Sequence, residues 1–249
     1  NEYLHGLGNS FESEALKGAL PKHRNNPQQC KFGLYAEQLS GTPFTYPRSK
    51  FERSWLYRIM PTVAHPPYKA VKGFNDLWIS NFDREDDDEV YTTPAQMRWT
   101  PIDVTKEKIT FVQGIQTISG AGSPMMKAGI NMGVYTCNTS MENEAFFNSD
   151  GDILIVPQLG ELTIMTEFGE LKAKAWEFVV IPRGIKFAVS VEGDNRGYYC
   201  ELFDGHLKIP DLGPIGTNGN ANPRDFEIPK AKYFDSTDEM RIVQKYLGK

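Results

Sequence analysis

Short apolar segments recur at regular intervals between residues 106 and 205, and this pattern constrains the fold more than any other feature of the sequence. The segments are rich in Val, Ile, Phe, Tyr and Thr, and Gly, Pro, Asn or Asp separates them about every eight to twelve residues. The predicted strands are Lys108–Gln113, Met132–Cys137, Asp152–Val156, Leu162–Phe168, Leu171–Lys174, Phe178–Ile181, Lys186–Val191 and Tyr198–Phe203. Short strands with frequent turns, and no long helical pattern between them, predict an all-β sandwich or barrel.

The stretch from Asn148 to Val189 resembles the cupin pattern, a double-sheet jelly roll. In cupins an acidic residue precedes a hydrophobic strand that ends in a Gly turn, and a later strand leads into Pro-x-Gly-x-x-His. Here Pro182-x-Gly184 is present, but Phe187 stands at the position of the metal-binding His, and Phe146-Phe147-Asn148 stands where cupins carry His-x-His. The resemblance therefore implies a cupin-like jelly-roll β-sandwich in which Phe187 and Asn148 mark vestigial ligand positions and aromatic rings fill the interior.

Residues 1 to about 105 are irregular and rich in proline and aromatic residues. Prolines break helices and cannot donate to a strand ladder, whereas the tryptophans of this segment need burial. Such a segment typically wraps over a core or over a neighbouring subunit. Within it, Phe51 to Ile59 is predicted to form a short strand with Trp55, Tyr57 and Ile59 on one face.

Residues 206–249 begin with a stretch rich in Gly and Pro and end ambiguously. Ser236 and Glu239 have the spacing of a capping box, and Met240, Val243 and Leu247 would share one face of a helix. We therefore divide the chain into an irregular wrapping segment with short strands (1–105), a jelly roll that lacks metal ligands (106–205) and a Gly/Pro-rich connector (206–249), with few short helices overall.

The charge balance and the cysteines exclude several classes of function. The chain has 27 basic and 32 acidic residues, a net charge of −5, which argues against nucleic acid or an anionic membrane as a partner. Three cysteines without a CxxC pair predict neither a disulfide framework nor a zinc site, so we expect reduced, packed thiols. No signal-peptide pattern and no apolar run of membrane length stand out, so we expect a cytoplasmic protein.

The histidines do not assemble into a catalytic site. The chain has only four, namely His5, His23, His65 and His206, and no His-x-His pair. An open non-haem iron site needs two His and one carboxylate on one side of the metal. The sequence also lacks GxSxG and HExxH, so neither acyl transfer nor zinc hydrolysis is predicted.

Longer stretches resemble the homogentisate dioxygenases, and they keep their order along nearly the whole chain. These stretches are Tyr3–Phe11, Glu14–Ala15, Gly18–Pro21, Asn25–Gln28, Leu34–Thr45, Arg53–Ile59, Gly120–Gly122, Cys137–Asn143, Asn148–Asp152, Asp211–Gly216 and Ala221–Phe226. The chain is thus similar to the N-terminal part of that family.

The resemblance implies an iron-dependent, extradiol-type ring-cleaving dioxygenase of tyrosine and phenylalanine catabolism. Such enzymes open homogentisate with dioxygen to give maleylacetoacetate, and they hold Fe(II) through two His and one Glu in a second, C-terminal jelly roll. None of the four His here has Asp or Glu six residues downstream, the spacing of the family's first His and its Glu. The resemblance therefore implies no catalytic and no metal-binding residue in this chain, and we expect it to bind no iron by itself.

The resemblance also implies partners. The full-length enzymes act on homogentisate and dioxygen and assemble as trimers that pair into hexamers, with no role for nucleic acid or membrane. In this chain the candidates for subunit contacts or for lining a neighbouring site are Arg53, Trp55, Tyr57, Arg58, Arg224 and Asp225. Residues 206–249 would then lead toward a C-terminal catalytic domain.

Several alternatives stay open at this point. The sequence is either a fragment of such an enzyme, which we favour, or a protein that has lost its catalytic half. A non-catalytic jelly-roll scaffold or interaction module is the second reading. A cupin isomerase or a sugar-binding protein, which needs no His triad, is the third.

Overall fold

The computed structural model describes residues 2–7, 12–21, 30–42, 45–51, 53–82, 95–209, 222–233 and 238–249. The strands are β1 (Tyr3–His5), β2 (Tyr35–Gly41), β3 (Arg53–Arg58), β4 (Ile115–Ser123), β5 (Ala128–Cys137), β6 (Glu144–Asn148), β7 (Asp152–Leu159), β8 (Leu162–Thr166), β9 (Gly169–Ala173), β10 (Val179–Ile181), β11 (Phe187–Val191), β12 (Asn195–Leu202), β13 (Glu227–Pro229) and β14 (Arg241–Lys245). Short 3₁₀ helices cover Lys31–Gly33, Arg48–Lys50 and Pro223–Asp225. Within these ranges no helix has the length and apolar character needed to cross a bilayer.

Two five-stranded sheets form the body of the protein. The first has the strand order β10-β7-β12-β5-β4, and the second has the order β14-β6-β11-β8-β9. All neighbours in the two sheets are antiparallel except β14, which runs parallel to β6. Strands that are distant in sequence lie side by side, as in a double-sheet jelly roll, and the prediction of an all-β jelly-roll sandwich is confirmed.

The core lies between the two sheets and is continuous. Ile153 and Ile155 of β7 face Ile164 of β8 and Phe187 and Val189 of β11 within one cluster of buried side chains. Every second residue of these strands points inward, because successive side chains of a strand alternate between its two faces. The apolar alternation in the sequence is therefore what fixes the register of both sheets.

Two glycines allow tyrosine rings to lie flat across the central strand pair. Gly197 is directly opposite Tyr135, and Gly133 is directly opposite Tyr199, in the β12–β5 ladder. A Cβ at Gly197 would come within 2.6 Å of the Tyr135 ring, and a Cβ at Gly133 would come within 2.6 Å of the Tyr199 ring. Both tyrosines are completely buried, so the glycines provide the space that these rings occupy.

The N-terminal segment attaches to this body at several points. β1 pairs with β13, and β2 and β3 form a separate two-stranded antiparallel sheet. The predicted strand 51–59 is thus observed as β3, although Ile59 lies beyond its end and is exposed, whereas Trp55 and Tyr57 are half-buried. Residues 62–73 are all exposed, and the chain then enters the body at Trp78 and Ser80, which are buried.

The predicted strand Lys108–Gln113 is wrong. Residues 111–114 form a turn in which the Gly114 N–H donates to the carbonyl oxygen of Thr110 at 3.0 Å. The Gln113 side chain also accepts from the backbone and the hydroxyl of Thr110. Phe111 and Val112 are buried as part of the core cluster, so their apolar character reflects burial in a turn and not a strand.

The C-terminal residues form a strand and not the helix that the capping-box spacing suggested. Residues 241–245, which we assigned to the connector, pair with β6 as β14 and so belong to the second sheet of the jelly roll. Val243 is buried, whereas Met240 and Leu247 are exposed, so the supposed helical face does not exist. Ser236 lies outside the described residues. Pairing with β6 overrides the local pattern, as tertiary contacts commonly override intrinsic propensity.

Candidate functional site

Aromatic rings fill the interior of the jelly roll at the vestigial ligand position. Phe187 is buried at the start of β11, and its ring centroid lies 5.7 Å from that of Phe146 and 6.3 Å from that of Phe111. The Trp78 ring lies 5.6 Å from Phe146 and continues the ring contacts toward the other sheet. Edge-to-face and tilted ring pairs of this kind are favourable packing.

A carboxylate lies beside this aromatic wall. Glu201 of β12 is completely buried, and its Oε1 accepts from the amide of Asn148 at 2.6 Å. Its Oε2 accepts from the Trp78 indole at 3.2 Å and from the Asn131 amide at 3.3 Å. A buried carboxylate requires such partners, because its removal from water is costly. Asn148, the second vestigial position, therefore serves as a hydrogen-bond donor to Glu201.

A buried lysine supplies the positive charge. Lys245 Nζ of β14 lies 2.7 Å from Glu201 Oε1 and 2.7 Å from Asp150 Oδ2. The ammonium also lies 5.1 Å from the centroid of the Trp78 ring and 5.7 Å from that of Phe203, within cation–π range. We call Lys245, Glu201, Asp150 and Asn148 the Lys245 network; it carries two carboxylates and one ammonium in a buried site.

Asp150 also fixes the chain beyond β14. Its Oδ1 accepts from the backbone N–H of Leu247 at 2.7 Å, and its Oδ2 accepts from that of Gly248 at 2.9 Å. The Asp150 N–H in turn donates to Asn148 Oδ1 at 2.9 Å. The Lys245 network thus holds the last strand to the turn that follows β6.

A second group of hydrogen bonds links the network to the N-terminal segment. Asn131 donates to the carbonyl oxygen of Ile79 at 2.7 Å and accepts from the Tyr199 hydroxyl at 3.1 Å. Thr117 lies 3.0 Å from the Tyr199 hydroxyl and also contacts both backbone groups of Ile79. Residues 78–80 are therefore part of the interior polar structure and not merely an outer wrap.

These residues do not fit an iron centre. The described part of the chain contains no group of three or more His, Cys, Asp or Glu placed to hold a metal ion. Asp150 and Glu201 already hold the ammonium of Lys245 between them, and their other carboxylate oxygens accept hydrogen bonds from Leu247, Trp78 and Asn131. Phe187 and Phe146 present carbon where imidazole nitrogen would be needed.

The buried cysteines are equally unsuited to nucleophilic chemistry. Burial raises the pKa of the Cys137 thiol to about 12, and it raises the pKa of Cys200 as well. Only a thiolate is a good nucleophile or metal ligand, so both side chains act as packing residues near neutral pH.

His206 is the one described histidine with a buried carboxylate partner. Its Nδ1 lies 3.1 Å from both carboxylate oxygens of Asp152, which is buried. Asp152 also accepts from the backbone N–H groups of Arg183 and Leu207 at 2.9 and 3.1 Å. These bonds hold the end of β12 to the Pro182–Gly184 turn, so the pair is best explained as a structural anchor.

The β3 residues that the sequence suggested for subunit contacts differ in their burial and in their partners. Trp55 and Tyr57 are half-buried in the β2–β3 sheet, whereas the side chain of Arg53 lies outside the described residues. Arg58 is ion-paired, with its Nε 3.1 Å from Glu37 of β2 and its Nη1 against Glu167, which follows β8. Arg58 therefore attaches the β2–β3 sheet to the jelly roll, and a role in contacts between subunits remains a prediction.

Replacing Arg58 with methionine is expected to loosen the β2–β3 sheet without unfolding the jelly roll. Loss of the two carboxylate contacts should increase the rate of limited proteolysis within 35–58 by about tenfold, the equivalent of roughly 1.4 kcal/mol. Arg241→Met is the matched control, because the Arg241 side chain is 53% exposed and contacts only one carboxylate, Glu144, at 3.5 Å. Equal cleavage rates in wild type and Arg58→Met would contradict the anchoring role.

Arg224 and Asp225 lie in the exposed 3₁₀ helix Pro223–Asp225. Asn222 caps this helix by accepting from the Arg224 N–H, and Asp225 accepts from the Asn222 N–H. Most of the preceding glycine-rich stretch, residues 210–221, lies outside the described residues. The described geometry thus gives Asp225 a capping function, and the proposed approach to a neighbour stays a prediction.

The two five-stranded sheets and the ring-filled interior define a cupin-like jelly roll. At its Pro182–Gly184 turn the Gly184 N–H donates to the carbonyl oxygen of Asn148 at 2.8 Å, and the described residues contain no metal-ligand set. The chain belongs to the homogentisate 1,2-dioxygenase N-terminal family, whose match covers residues 2–249. It is 52% identical over 250 residues to a homogentisate 1,2-dioxygenase of Dictyostelium discoideum, covering 100% of this chain and 56% of that protein. The homogentisate 1,2-dioxygenase of Caenorhabditis elegans is 48% identical, with coverage of 99% and 56%.

The chain therefore spans about half the length of the curated relatives it matches. Among solved structures, a cupin superfamily protein from Desulfitobacterium hafniense matches at 13% identity and a TM-score of 0.35, covering 44% of this chain and 94% of that one. A cupin 2 conserved barrel domain protein from Leptotrichia buccalis matches at 16% identity and a TM-score of 0.32, covering 41% and 44%. The fold assignment rests on the strand order of the chain itself.

Sequence reasoning missed the Lys245 network. Glu201 stands alone as a charged residue in the apolar run Tyr198–Phe203, and that isolation is a signal for a buried, paired carboxylate. Its partner lies 44 residues away in a segment with an ambiguous pattern. The sequence therefore gives a reason to expect a partner but no means of identifying it.

Proposed function

We propose that this chain is the N-terminal, structural part of a homogentisate 1,2-dioxygenase. The single observation that carries the proposal is the similarity to enzymes of that name, at 46–52% identity along the whole chain for three of them. The full-length protein would open the ring of homogentisate with dioxygen to give maleylacetoacetate, in the catabolism of tyrosine and phenylalanine.

The proposed enzyme is of the extradiol type and depends on Fe(II). A metal in such a site polarises the substrate and holds dioxygen beside it. Because the described residues of this chain do not fit an iron centre, the proposed His and Glu ligands come from the part of the relatives that this chain does not span. This chain would then contribute a rigid jelly roll and no ligand.

The proposed location is the cytoplasm, and the proposed assembly is a homo-oligomer, either a trimer or a dimer of trimers. Support for the assembly comes from the long exposed run of residues 62–73, which carries apolar side chains such as Val63 and Tyr68 into solvent. Neighbouring exposed apolar side chains of this kind are typical of contact surfaces.

The test is an oxygen-uptake assay with homogentisate on the protein made from the complete coding sequence, beside the 249-residue chain. We expect oxygen consumption and ring-opened product from the complete protein after loading with ferrous iron, and neither from the shorter chain. A complete protein that contains iron but leaves homogentisate and oxygen unconsumed would refute the proposed activity.

A non-catalytic jelly-roll scaffold is the second candidate, and the filled interior favours it. Phe187 and the Lys245 network occupy the space in which a cupin enzyme would bind metal and substrate. The complete coding sequence separates the two candidates: a further segment with two His and one Glu at ligand spacing supports the dioxygenase, and the absence of such a segment supports the scaffold.

A further inference from the structure

The residues that follow β14 form a tight hairpin turn. The Tyr246 N–H donates to the carbonyl oxygen of Lys249 at 2.7 Å, and the Lys249 N–H donates to that of Tyr246 at 3.2 Å. Leu247 and Gly248, which lie between them, have φ values of 51° and 80°. Reciprocal bonds around two residues of positive φ are those of a type I′ turn, which joins the two antiparallel strands of a hairpin. The backbone therefore reverses its direction after β14.

The buried carboxylate of Asp150 holds this turn in place. The N–H groups of Leu247 and Gly248 donate to its two oxygens at 2.7 and 2.9 Å, and the Lys245 ammonium lies 2.7 Å from it. A positive φ is unfavourable for a bulky residue such as Leu247, so it persists only because the surrounding structure fixes it. The turn is therefore a specified part of the fold, and it gives the backbone at Lys249 a defined direction.

That direction runs along the open edge of the second sheet. Within the described residues β14 pairs only with β6, so its other edge has no strand partner. The backbone groups of Arg241 and Lys245 bond on the β6 side. Because backbone groups alternate between the two edges of a strand, those of Ile242 and Gln244 face the open edge. The Tyr246 groups, two residues further on, face the same edge and make the turn bonds.

We propose that the segment following Lys249 in the complete protein forms a strand on this edge, antiparallel to β14. The inference rests on the proposed function, in which the protein continues as its relatives do, since the chain covers only 56% of them. An unpaired sheet edge is a liability that proteins usually cover, and a two-residue turn is the commonest way to bring in an antiparallel partner. The second sheet then has six strands, and the rest of the protein is attached at this edge.

The two-residue turn also fixes the register of the proposed strand. Tyr246 is opposite Lys249, so Gln244 is opposite the second residue after Lys249, and Ile242 is opposite the fourth. Both are hydrogen-bonded pairs, whose Cα atoms lie about 5.5 Å apart, a separation that a disulfide can bridge. Ile242 is 50% exposed, whereas Val243 is buried, so the Ile242 pair lies on the accessible face.

The test uses the complete protein with Ile242→Cys and a second cysteine at the fourth residue after Lys249. Oxidation with diamide should link the two, and mass spectrometry of the digested protein distinguishes this link from links to the native cysteines. The matched control has the second cysteine at the third residue after Lys249, which faces the opposite side of the strand. We expect a yield at least about tenfold lower in the control. No link at the fourth residue of a folded variant, or an equal yield in the control, overturns the proposed strand.

If the cysteine variants fail to fold, site-resolved hydrogen–deuterium exchange on the unmodified complete protein decides. The amides of Ile242 and Gln244, and those of the second and fourth residues after Lys249, should exchange at least about a hundredfold more slowly than in an unfolded chain. Rapid exchange at these amides overturns the strand. Protection of Ile242 and Gln244 alone overturns it as well, because another segment or a second copy then covers the edge.

Oxygen uptake with homogentisate separates this inference from the proposed function. A linked strand in an inactive, iron-loaded protein refutes the dioxygenase alone, and an active protein without the link or the protection refutes the strand alone. A coding sequence that ends at Lys249 refutes both.

Discussion

Replacing Lys245 with methionine is expected to lower the free energy of unfolding by about 3–5 kcal/mol, the cost of removing one partner from a buried ion pair. The methionine side chain keeps most of the volume but leaves Asp150 and Glu201 as buried carboxylates without a counter-charge. The measurement is urea denaturation followed by far-UV circular dichroism at neutral pH.

Lys232→Met is the matched control for this variant. Lys232 lies 2.7 Å from Glu170, the same distance as in the buried pair, but its side chain is 53% exposed. Exposed ion pairs contribute about 0–1 kcal/mol, so the control should change stability little. Similar losses in the two variants would show that Lys245 does not neutralise a buried site.

A double variant tests whether the stability lost in Lys245→Met comes from uncompensated charge or from lost packing. Changing Glu201 to glutamine removes one negative charge and keeps a side chain that can accept from Trp78 and Asn131. The double variant with Lys245→Met and Glu201→Gln should therefore be more stable than Lys245→Met alone, because contacting residues couple. A double variant less stable than Lys245→Met would point to lost packing in place of uncompensated charge.

Replacing Phe187 with alanine is expected to cost about 3–5 kcal/mol, as is usual when a large aromatic side chain is deleted from a packed core. The ring contacts Phe146 and Phe111 and occupies the vestigial ligand position. Urea unfolding again measures the loss, and Phe187→Leu should lose less because it keeps more of the volume.

Phe51→Ala is the matched control for the core variant, because Phe51 is exposed on the N-terminal segment. Surface changes of this kind usually alter stability by no more than about 0.5 kcal/mol. If Phe187→Ala were as stable as Phe51→Ala, the ring would not be the interior support that its burial indicates.

The strands that the sequence predicts correctly share one property: apolar residues alternate along them, and the sheet buries those residues on its inner face. Asp152–Val156 lies within β7, and Lys186–Val191 matches β11 but for its first residue. β4, with the sequence Ile-Gln-Thr-Ile-Ser-Gly-Ala-Gly-Ser, was missed because its glycines and hydroxyl residues hide the alternation. Such a strand is stabilised by its ladder with β5 and not by its own propensity.

The candidate site was predictable only in part, and for a physical reason. The turn residues Pro182 and Gly184 and the aromatic at 187 follow from a local pattern, so the position of Phe187 could be anticipated. The Lys245 network depends on contacts between residues 44 to 95 positions apart, which no local pattern encodes. Where the sequence was ambiguous, as at Arg241–Lys245, the long-range partner decided the structure.

The most direct test of the central claim is the iron content of the 249-residue chain after anaerobic loading with ferrous iron and removal of unbound metal. The Lys245 ammonium and the aromatic rings around Phe187 already fill the interior of the jelly roll. We therefore predict no more iron in the chain than in a buffer blank. Stoichiometric ferrous iron retained by this chain, and lost on adding a chelator, would contradict that prediction and would require the interior to hold ligands where Phe187 and Lys245 now lie.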